Sequence, residues 1–417
     1  MREMKDSGIK WIGAIPQDWQ LSKIGSLYTQ RNEKVSDKDY QPLSVTMQGI
    51  LPQLATAAKT DDGDNRKLVR VGDFAINSRS DRRGSCGISP LDGSVSLINI
   101  ILTPRTAMHP GYYNWLFHTT LFADEFYKWG HGIVADLWTT RWQEMKSITV
   151  PVPEYAEQER IAAFLDAECA EIDAVLEKTR ASIEEYKKLK QAVITQAVTK
   201  GVRGDRPMKD SGIEWIGDIP AEWDVLNLVA HTSMLTPMRD RPENLDGPIP
   251  WVRIEDFEGK YIESSKAGLG VSMKTVKEMN LKVYPVGTIL CTSSCIMGKC
   301  AIVSRELVSN QRFIGIIPDQ TTDKTYLYYL MTSNAERMNF LSTGALQANL
   351  SRSAFEHLKV QFPPYSEQQE IAAYLDDKCE KIDELILKKQ QYLTEIENYK
   401  KSLIYEYVTG KKEVHPL

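Results

Sequence analysis

The sequence predicts two mixed α/β (α+β) globular domains in tandem, joined by two long antiparallel coiled-coil helices with a pseudo-twofold relation. Three observations predict this architecture: an internal repeat, two long heptad patterns, and matching strand-like runs between them. The chain has 417 residues, of which 42% are hydrophobic, so each domain can bury a core of its own.

The repeat sets the domain plan. The segment MKDSGIKWIGAIPQDW at residues 4–19 returns as MKDSGIEWIGDIPAEW at 208–223, and EQERIAAFLD at 157–166 returns as EQQEIAAYLD at 367–376. A period of this size indicates two domains, because solenoid arrays repeat roughly every 20 to 50 residues. We predict a first domain at 1–155, a central coiled-coil helix at 156–201, a second domain at 202–365, and a C-terminal coiled-coil helix with a tail at 366–417.

Two segments carry the a/d spacing of a coiled coil, and a proline-rich stretch that marks a helix boundary precedes each. Both patterns are imperfect at the same places, Thr179 with Lys389 and Lys190 with Lys400. Two such helices in one chain are natural partners, and the tandem copy favours antiparallel pairing. The predicted seam residues are Leu165, Ile172, Leu176 and Ile183 in the first helix and Leu375, Ile382, Ile386, Leu393 and Ile396 in the second.

Each copy has a similar series of elements between its opening signature and its helix. Two strand-like runs in each copy are rich in β-branched and aromatic residues, and an aromatic-rich helical stretch follows them. The runs are VRVGDFAIN at 69–77 and YPVGTILCT at 284–292, SLINIILTP at 96–104 and QRFIGIIP at 311–318, and the helical stretches are 112–129 and 326–341.

Composition and charge restrict the function classes. The net charge is -5, but the acid concentrates in the two helices and leaves the rest of the chain slightly basic. The N-terminus lacks the apolar stretch of a signal peptide and no long apolar run occurs, so a cytoplasmic protein without a membrane span is expected. The six cysteines are thinly spread, as expected for reduced thiols, and Cys291, Cys295 and Cys300 lack the CxxC spacing of a structural zinc site.

Several motifs together resemble the specificity subunit of type I restriction-modification enzymes. They are KDSGIEWIGDIPAEW, VGTILCTSSCIMGKCAIV, the SNQ at 309–311, STGALQANLS at 342–351, and PPYSEQQEIAAYLD leading to YVTGK. The resemblance covers essentially the whole chain, in both copies. The first copy departs from the pattern, because GHGIVADLWTTRW at 130–142 stands where the second has STGALQANLS. The carry-over of DNA-contacting roles is correspondingly less direct there.

The resemblance implies that each domain reads one half of a split sequence in double-stranded DNA and that the chain has no catalytic activity or cofactor of its own. It implies two modification subunits that bind S-adenosylmethionine and methylate adenine. It also implies two restriction subunits that use ATP and magnesium to translocate and cut DNA. A helix over residues 157–197 would span roughly 60 Å. That length suits separated half-sites, which lie about 34 to 36 Å apart per DNA turn.

Polar loops beside the strand-like runs supply candidate DNA contacts, because Arg reads guanine or holds phosphate and Asn reads adenine. The alternative for each is a solvated surface loop. The candidates are Asn77, Arg79, Ser80, Arg82, Arg83, Thr139, Thr140 and Arg141 in the first copy, and Ser293, Ser294, Lys299, Ser342, Thr343, Gln347, Asn349, Ser351 and Arg352 in the second. Large apolar anchors are expected where each domain meets the helices, at Trp11, Trp19, Trp215 and Trp223.

Two other interpretations stay open at the level of sequence. A coiled-coil scaffold without DNA specificity accounts for the seams but not for the duplicated, divergent domains. A self-contained modification enzyme would need a methyltransferase site. FPPY at 362–365 resembles the Pro-Pro-aromatic element of adenine methyltransferases, but Phe362 replaces the polar residue that would hold the target amino group. The sequence also has no GxxxxGK[ST] phosphate loop for ATP hydrolysis.

Overall fold

The chain forms two structural units in a computed structural model. The first unit contains Met1–Arg180 and Gln390–Leu417, and the second contains Ala181–Lys389. The candidates Thr343, Gln347 and Asn349 and the side chain of Ser80 lie outside the part of the chain that the structure describes. The described residues are 2–54, 63–132, 138–237, 240–294, 298–342 and 350–414.

Short strands and helices build the first unit. The strands are β1 Met4–Asp6, β2 Ala14–Pro16, β3 Gln20–Lys23, β4 Tyr28–Arg31, β5 Lys34–Val35, β6 Leu43–Thr46, β7 Gly49–Pro52, β8 Arg66–Val69, β9 Phe74–Asn77, β10 Cys86–Ile88, β11 Gly93–Val95, β12 Asn99–Pro104 and β13 Thr149–Val152. The helices are α1 Ile24–Leu27, α2 Pro110–Phe117, α3 Thr120–Lys128, α4 Trp142–Met145 and the start of α5 Tyr155–Lys200.

The main sheet of the first unit has the strand order β10-β9-β12-β4. Strand β9 is buried along its whole length, which explains its apolar run Phe74–Ile76 before the terminal Asn77. The turn before β9 needs Gly72, whose φ of 85° is unfavourable for other residues. The core beside the sheet is strongly aromatic and includes Tyr28, Phe74, Tyr113, Phe117 and Phe122.

The second unit is also mixed α/β. Its strands are β14 Met208–Asp210, β15 Asp218–Pro220, β16 Asp224–Asn227, β17 Thr232–Leu235, β18 Ile249–Val252, β19 Tyr261–Ile262, β20 Gly270–Val271, β21 Ile289–Thr292, β22 Cys300–Val303, β23 Val308–Ser309, β24 Phe313–Pro318 and β25 Lys359–Phe362. Its helices are α6 Met273–Glu278, α7 Lys324–Ser333, α8 Ala335–Leu341, α9 Arg352–Glu356 and the start of α10 Tyr365–Val408.

The main sheet of the second unit has the order β17-β24-β21-β22-β19. Strand β21 is buried along its length, like β9, and Gly287 with a φ of 91° makes the turn before it. Strand β19 extends the sheet by pairing in parallel with β22. The strand-like runs predicted from the sequence are confirmed in both units, although each strand begins two to five residues later than its run.

The long helices α5 and α10 contact each other in each unit, and in the first unit they run antiparallel. In the first unit, Phe164 stacks near Tyr407 with ring centroids 4.4 Å apart, and Lys400 pairs with Asp173 at 2.6 Å. In the second unit, Lys190 pairs with Asp383 at 2.6 Å.

The predicted seam residues line the less exposed side of both helices. Leu165, Leu176, Ile183, Leu375 and Ile382 are buried. The other four seam residues are half-buried, and the positions between them are mostly exposed. They are Ile172, Ile386, Leu393 and Ile396.

The predicted tryptophan anchors divide unequally. Trp11, Trp19 and Trp223 are buried, but Trp215 is 44% exposed, so the prediction of a buried anchor is wrong for Trp215. Trp11 packs against Phe122 of α3. By contrast, the guanidinium carbon of Arg337 from α8 lies over the Trp215 ring, 3.7 Å from its centroid. A guanidinium group therefore covers this ring in place of an apolar side chain.

Within the described ranges, no helix is both long and apolar enough to cross a membrane. The same residues contain no cluster of three or more histidine, cysteine or acidic side chains arranged to hold a metal ion. Cys291 and Cys300 instead face each other across β21 and β22, as buried free thiols.

Candidate nucleic-acid interface

The loop after β9 is a folded turn. The Asn77 side chain accepts a hydrogen bond from the Arg79 backbone N–H at 3.0 Å, which is the arrangement that starts an Asx-type turn. A 3-10 turn at Ser80–Arg82 follows. The loop then closes as a hairpin, because the Asn77 N–H donates to the Ser85 carbonyl at 2.9 Å. The backbone therefore fixes where the exposed side chains of Arg79, Arg82 and Arg83 begin.

Two more elements of the first unit hold this loop. The Tyr127 hydroxyl of α3 lies 3.2 Å from the Arg82 carbonyl, and burial raises the pKa of Tyr127, so the hydroxyl stays protonated and can donate. The Thr140 N–H donates to the Ser78 carbonyl at 3.0 Å. The segment that contains Thr139, Thr140 and Arg141 therefore lies against the loop at 79–83, called the arginine loop below, although the two are far apart in sequence.

The loop borders a groove of about 640 Å³. Four arginines line it, while Asp81 is the acidic residue among the lining side chains. Arg82 lies 3.8 Å from Asp81, and Arg83 pairs with Asp124 of α3. Arg66 at the groove is buried and donates to the Ser94 hydroxyl at 2.8 Å. Its burial lowers the pKa of Arg66, but an arginine remains protonated in proteins.

The second unit builds its loop in a parallel way. The Ser293 N–H donates to the Arg312 carbonyl at 2.8 Å, and the Leu350 N–H donates to the Ser293 carbonyl at 2.9 Å. The loop after β21 is thus joined to the segment before α9, as in the first unit. Ser351 caps α9, since its hydroxyl accepts from the Ala354 N–H at 3.2 Å.

A groove of about 660 Å³ lies beside this loop. Its candidate residues are Ser293, Ser294, Ser351 and Arg352. Arg352 is 55% exposed and pairs with Glu356 at 2.7 Å. Both grooves are lined by hydroxyl side chains, but four arginines line the first groove and two line the second.

The structure reassigns several predicted contacts. Thr140 is fully buried and its hydroxyl donates to the Phe126 carbonyl at 2.9 Å, so the prediction that Thr140 touches a ligand is wrong. Asn77 and Ser293 are 6% and 8% exposed, and their contacts described above hold the loops in shape. Ser342 donates to the Asn339 carbonyl at the end of α8 and does not line the groove.

Other predicted positions remain available at the surface. Lys299 is exposed but lies outside the second groove, with its ammonium 6.0 Å from the Phe257 ring centroid. Thr139 is half-buried and pairs its backbone with His131. Arg141 is exposed at the start of α4, where its N–H donates to Glu144 at 3.0 Å.

Sequence reasoning missed groove residues in both units. In the second unit, Gln311 and Arg312 line the groove. Gln311 ends the SNQ motif, and both residues directly precede the buried strand β24, which was the available signal in the sequence. In the first unit, Arg66 and the β6–β7 hairpin line the groove. No local signal marked them, because only the tertiary fold brings them beside the loop.

Comparison with known proteins gives a consistent class. The model of the type I restriction modification DNA specificity domain matches residues 224–398. The MjaIX specificity subunit of Methanocaldococcus jannaschii is 36% identical over 176 residues, which are 40% of this chain and 40% of that relative. The MjaVIII specificity subunit of the same organism is 22% identical over 437 residues, covering 97% of this chain and 95% of the relative.

Two solved structures share the fold. One, described as the structural basis of complex assembly and conformational transition of the type I R-M system, has a TM-score of 0.75 at 13% identity, over 95% of this chain and 99% of that one. The HsdS subunit from Thermoanaerobacter tengcongensis has a TM-score of 0.51 at 15% identity, over 98% of this chain and 100% of that one.

These matches first define a class: the chain carries a DNA specificity domain of the restriction-modification type. More particularly, the chain is similar to the specificity subunits of type I restriction-modification systems. The chain spans 40% of the length of the MjaIX relative and 61% of the MjaX relative.

Proposed function

We propose that this chain is the sequence-specific DNA-recognition subunit of a type I restriction-modification complex, and that each unit reads one half of a bipartite site. It performs no chemistry itself, in keeping with relatives that are named as specificity subunits. The chain works in the cytoplasm, where its DNA target lies.

One observation carries the proposal. In each unit, a loop that follows a buried central strand is joined by a backbone hydrogen bond to a distant polar segment, at Ser78 with Thr140 and at Ser293 with Leu350. The result is a groove of similar volume in both units, about 640 and 660 Å³. Such loops on a rigid scaffold are where binding proteins place their contacts.

The side chains of the grooves suit DNA. Guanidinium groups bind phosphate oxygens and the guanine edge, and hydroxyl and amide groups bind either phosphates or bases. Because the two grooves differ in side chains, they would select different half-sites. The antiparallel helices α5 and α10 would set the spacing between the half-sites.

The partners follow from the proposed role. Two modification subunits would bind S-adenosylmethionine and methylate adenine on opposite strands, and two restriction subunits would use ATP and magnesium to translocate and cleave DNA. This chain would direct both to the site. A pseudo-twofold relation between tandem target-recognition domains would present equivalent surfaces to two identical modification subunits.

The test removes one groove arginine from each unit in the full chain assembled with its modification subunit. Arg79→Ala and Arg312→Ala should each weaken binding to the target duplex, by about 1 to 3 kcal/mol for a base contact. For a phosphate contact, the slope of log K against log salt should fall by about 1. For a base contact, mapping methylated adenines in the host genome should also show relaxed selection in only one half-site per variant.

Matched controls are Lys23→Ala in the first unit and Lys274→Ala in the second, which remove exposed cations that do not line the grooves. They should leave both half-sites and the affinity unchanged. Equal effects from groove and control variants, or relaxation of both half-sites by one variant, would contradict the proposal.

A further inference from the structure

We propose that the hairpin of β6 and β7 is a two-stranded ribbon that enters the major groove of DNA and reads base edges with its tip, Met47 and Gln48. The inference rests on the proposed function and adds specificity-determining residues to the first unit. The arginine loop at 79–83 would then bind the phosphate groups on either side of those bases.

The hairpin is a rigid element. Strands β6 and β7 pair in register from Leu43 with Pro52 to Thr46 with Gly49, which leaves a two-residue turn at the tip. Leu43 and Ile50 are buried in a small core of their own against the central sheet. The backbone approaches β10 closely, because a side chain at Gly87 would bring its Cβ to 2.9 Å from the Gly49 Cα.

The turn is ordered by its own side chain. The Thr46 hydroxyl donates to the Gly49 carbonyl at 2.9 Å and accepts from the Gln48 N–H at 3.1 Å. Gly49 has a φ of 104°, a conformation that favours glycine. The tip is therefore held in one shape before any ligand binds, which lowers the entropic cost of ordering it on binding.

The tip exposes one apolar side chain and one amide side chain. Met47 is 71% exposed, and Gln48 beside it is also exposed. A glutamine amide matches the hydrogen-bonding edge of adenine in the major groove, and an apolar side chain matches the thymine methyl group. The pair has the chemistry that distinguishes A·T from G·C base pairs.

The position of the hairpin favours DNA over other ligands. Thr46 and Met47 line the same groove as three arginines of the arginine loop, so cationic side chains lie beside the tip. They are Arg79, Arg82 and Arg83. A major groove about 12 Å wide admits a two-stranded ribbon, and its phosphates lie on both sides of the inserted element. Arginines beside the ribbon would therefore meet a phosphate strand when the tip reaches the bases.

The test compares the double variant Met47→Ala/Gln48→Ala with the wild-type chain, each assembled with its modification subunit. A duplex library with one half-site randomised is methylated, and the methylated sequences are read. The double variant should lose discrimination on the order of 10-fold or more at one or two base pairs of one half-site. The other half-site, and binding to an unrelated duplex of equal length, should be unchanged.

Leu91→Ala is the matched control, because it truncates an apolar residue that is 37% exposed on another turn of the first unit. It should leave selection unchanged. Gln48→Ala alone is measured in parallel, since removing an exposed polar side chain leaves the hairpin core intact, and it should lose preference for adenine at one position.

Different outcomes separate the two proposals. A wild-type chain that selects no sequence would overturn the proposed function together with this inference. A wild-type chain that selects a site, with a double variant that selects it equally well, would overturn the ribbon alone. Equal weakening on every duplex would also overturn it, because that pattern belongs to phosphate contacts.

Discussion

Each unit has its own main sheet, and the two sheets have a similar strand order but differ at one edge. The order is β4-β12-β9-β10 in the first unit and β17-β24-β21-β22 in the second. Beyond β10, the first unit packs the hairpin of β6 and β7, whereas beyond β22 the second unit adds the parallel strand β19. Strand β10 in the first unit and strand β22 in the second directly follow the candidate loops. Variation at an edge changes the surroundings of the loop without disturbing the central strands.

A second comparison concerns the junction of each opening signature with its long helix. The Trp19 indole N–H donates to Glu157 at 2.9 Å, and the Trp223 indole N–H donates to Glu367 at 3.0 Å. An arginine pairs with the carboxylate in both units, Arg2 in the first and Arg206 in the second. These contacts are repeated where the sequence repeats, so they belong to the scaffold and not to recognition.

The repeated junctions differ in burial, and this difference gives the largest expected effect. The Glu367 side chain is fully buried, whereas that of Glu157 is 13% exposed. Glu367→Ala should lower the free energy of unfolding by about 3 to 5 kcal/mol, because Arg206 is only 12% exposed and loses its buried partner, keeping only the half-exposed Glu222. Glu157→Ala should cost less, about 1 to 3 kcal/mol, since water can reach Arg2.

Urea unfolding followed by tryptophan fluorescence measures both losses. Glu367→Gln is the control, because the amide oxygen can still accept from Trp223, and it should retain part of the stability that the alanine variant loses. Losses of equal size at Glu157 and Glu367 would show that burial does not separate the two junctions.

The tryptophans that precede the junctions give a smaller contrast. Trp11→Ala should cost about 3 kcal/mol, the lower end for a buried tryptophan, since its indole N–H is buried and has no partner among the described residues. Trp215→Ala should cost about 1 kcal/mol, because the ring is 44% exposed and its main contact is the cation–π contact with Arg337. Thermal unfolding of the two variants checks the order, and a larger loss at Trp215 would contradict it.

Much of the scaffold was predictable because its signals are local or repeated. Spacing and flanking prolines predicted helices at 156–201 and from 366, and the structure has α5 Tyr155–Lys200 and α10 Tyr365–Val408. The aromatic stretch at 112–129 is helical, but Thr119 interrupts it by capping α3, with its hydroxyl accepting from the Phe122 N–H at 3.2 Å. A capping threonine inside a helical pattern was the overlooked signal.

The candidate site was less predictable because tertiary contacts assemble it. The arginine loop follows a predicted strand, so its place could be found from sequence. The hairpin could not, since strands of four residues become stable only when Leu43 and Ile50 pack on the central sheet. The burial of Thr140 depends on a carbonyl of α3, a contact that residue types alone do not reveal.

The lysines in the helix seam give the smallest expected effect and test whether the two units are equivalent there. Lys190 pairs with Asp383 in the second unit and Lys400 with Asp173 in the first, both at 2.6 Å, so each of these two lysines has a charged partner. The aspartates are 56% and 58% exposed, and such pairs stabilise by about 1 kcal/mol or less. Lys190→Met and Lys400→Met should therefore change the free energy of unfolding by less than about 1 kcal/mol, because methionine restores apolar packing in the seam.

A double-mutant cycle for each pair, with Asp383→Ala and Asp173→Ala, isolates the coupling from the packing. We expect about 0.2 to 1 kcal/mol in both units, falling with added salt because solvent screens the exposed carboxylates. A coupling of several kcal/mol in one unit alone would mean that the seams differ in their exposure to water. The resemblance between the units would then end at the sheets and the buried carboxylates.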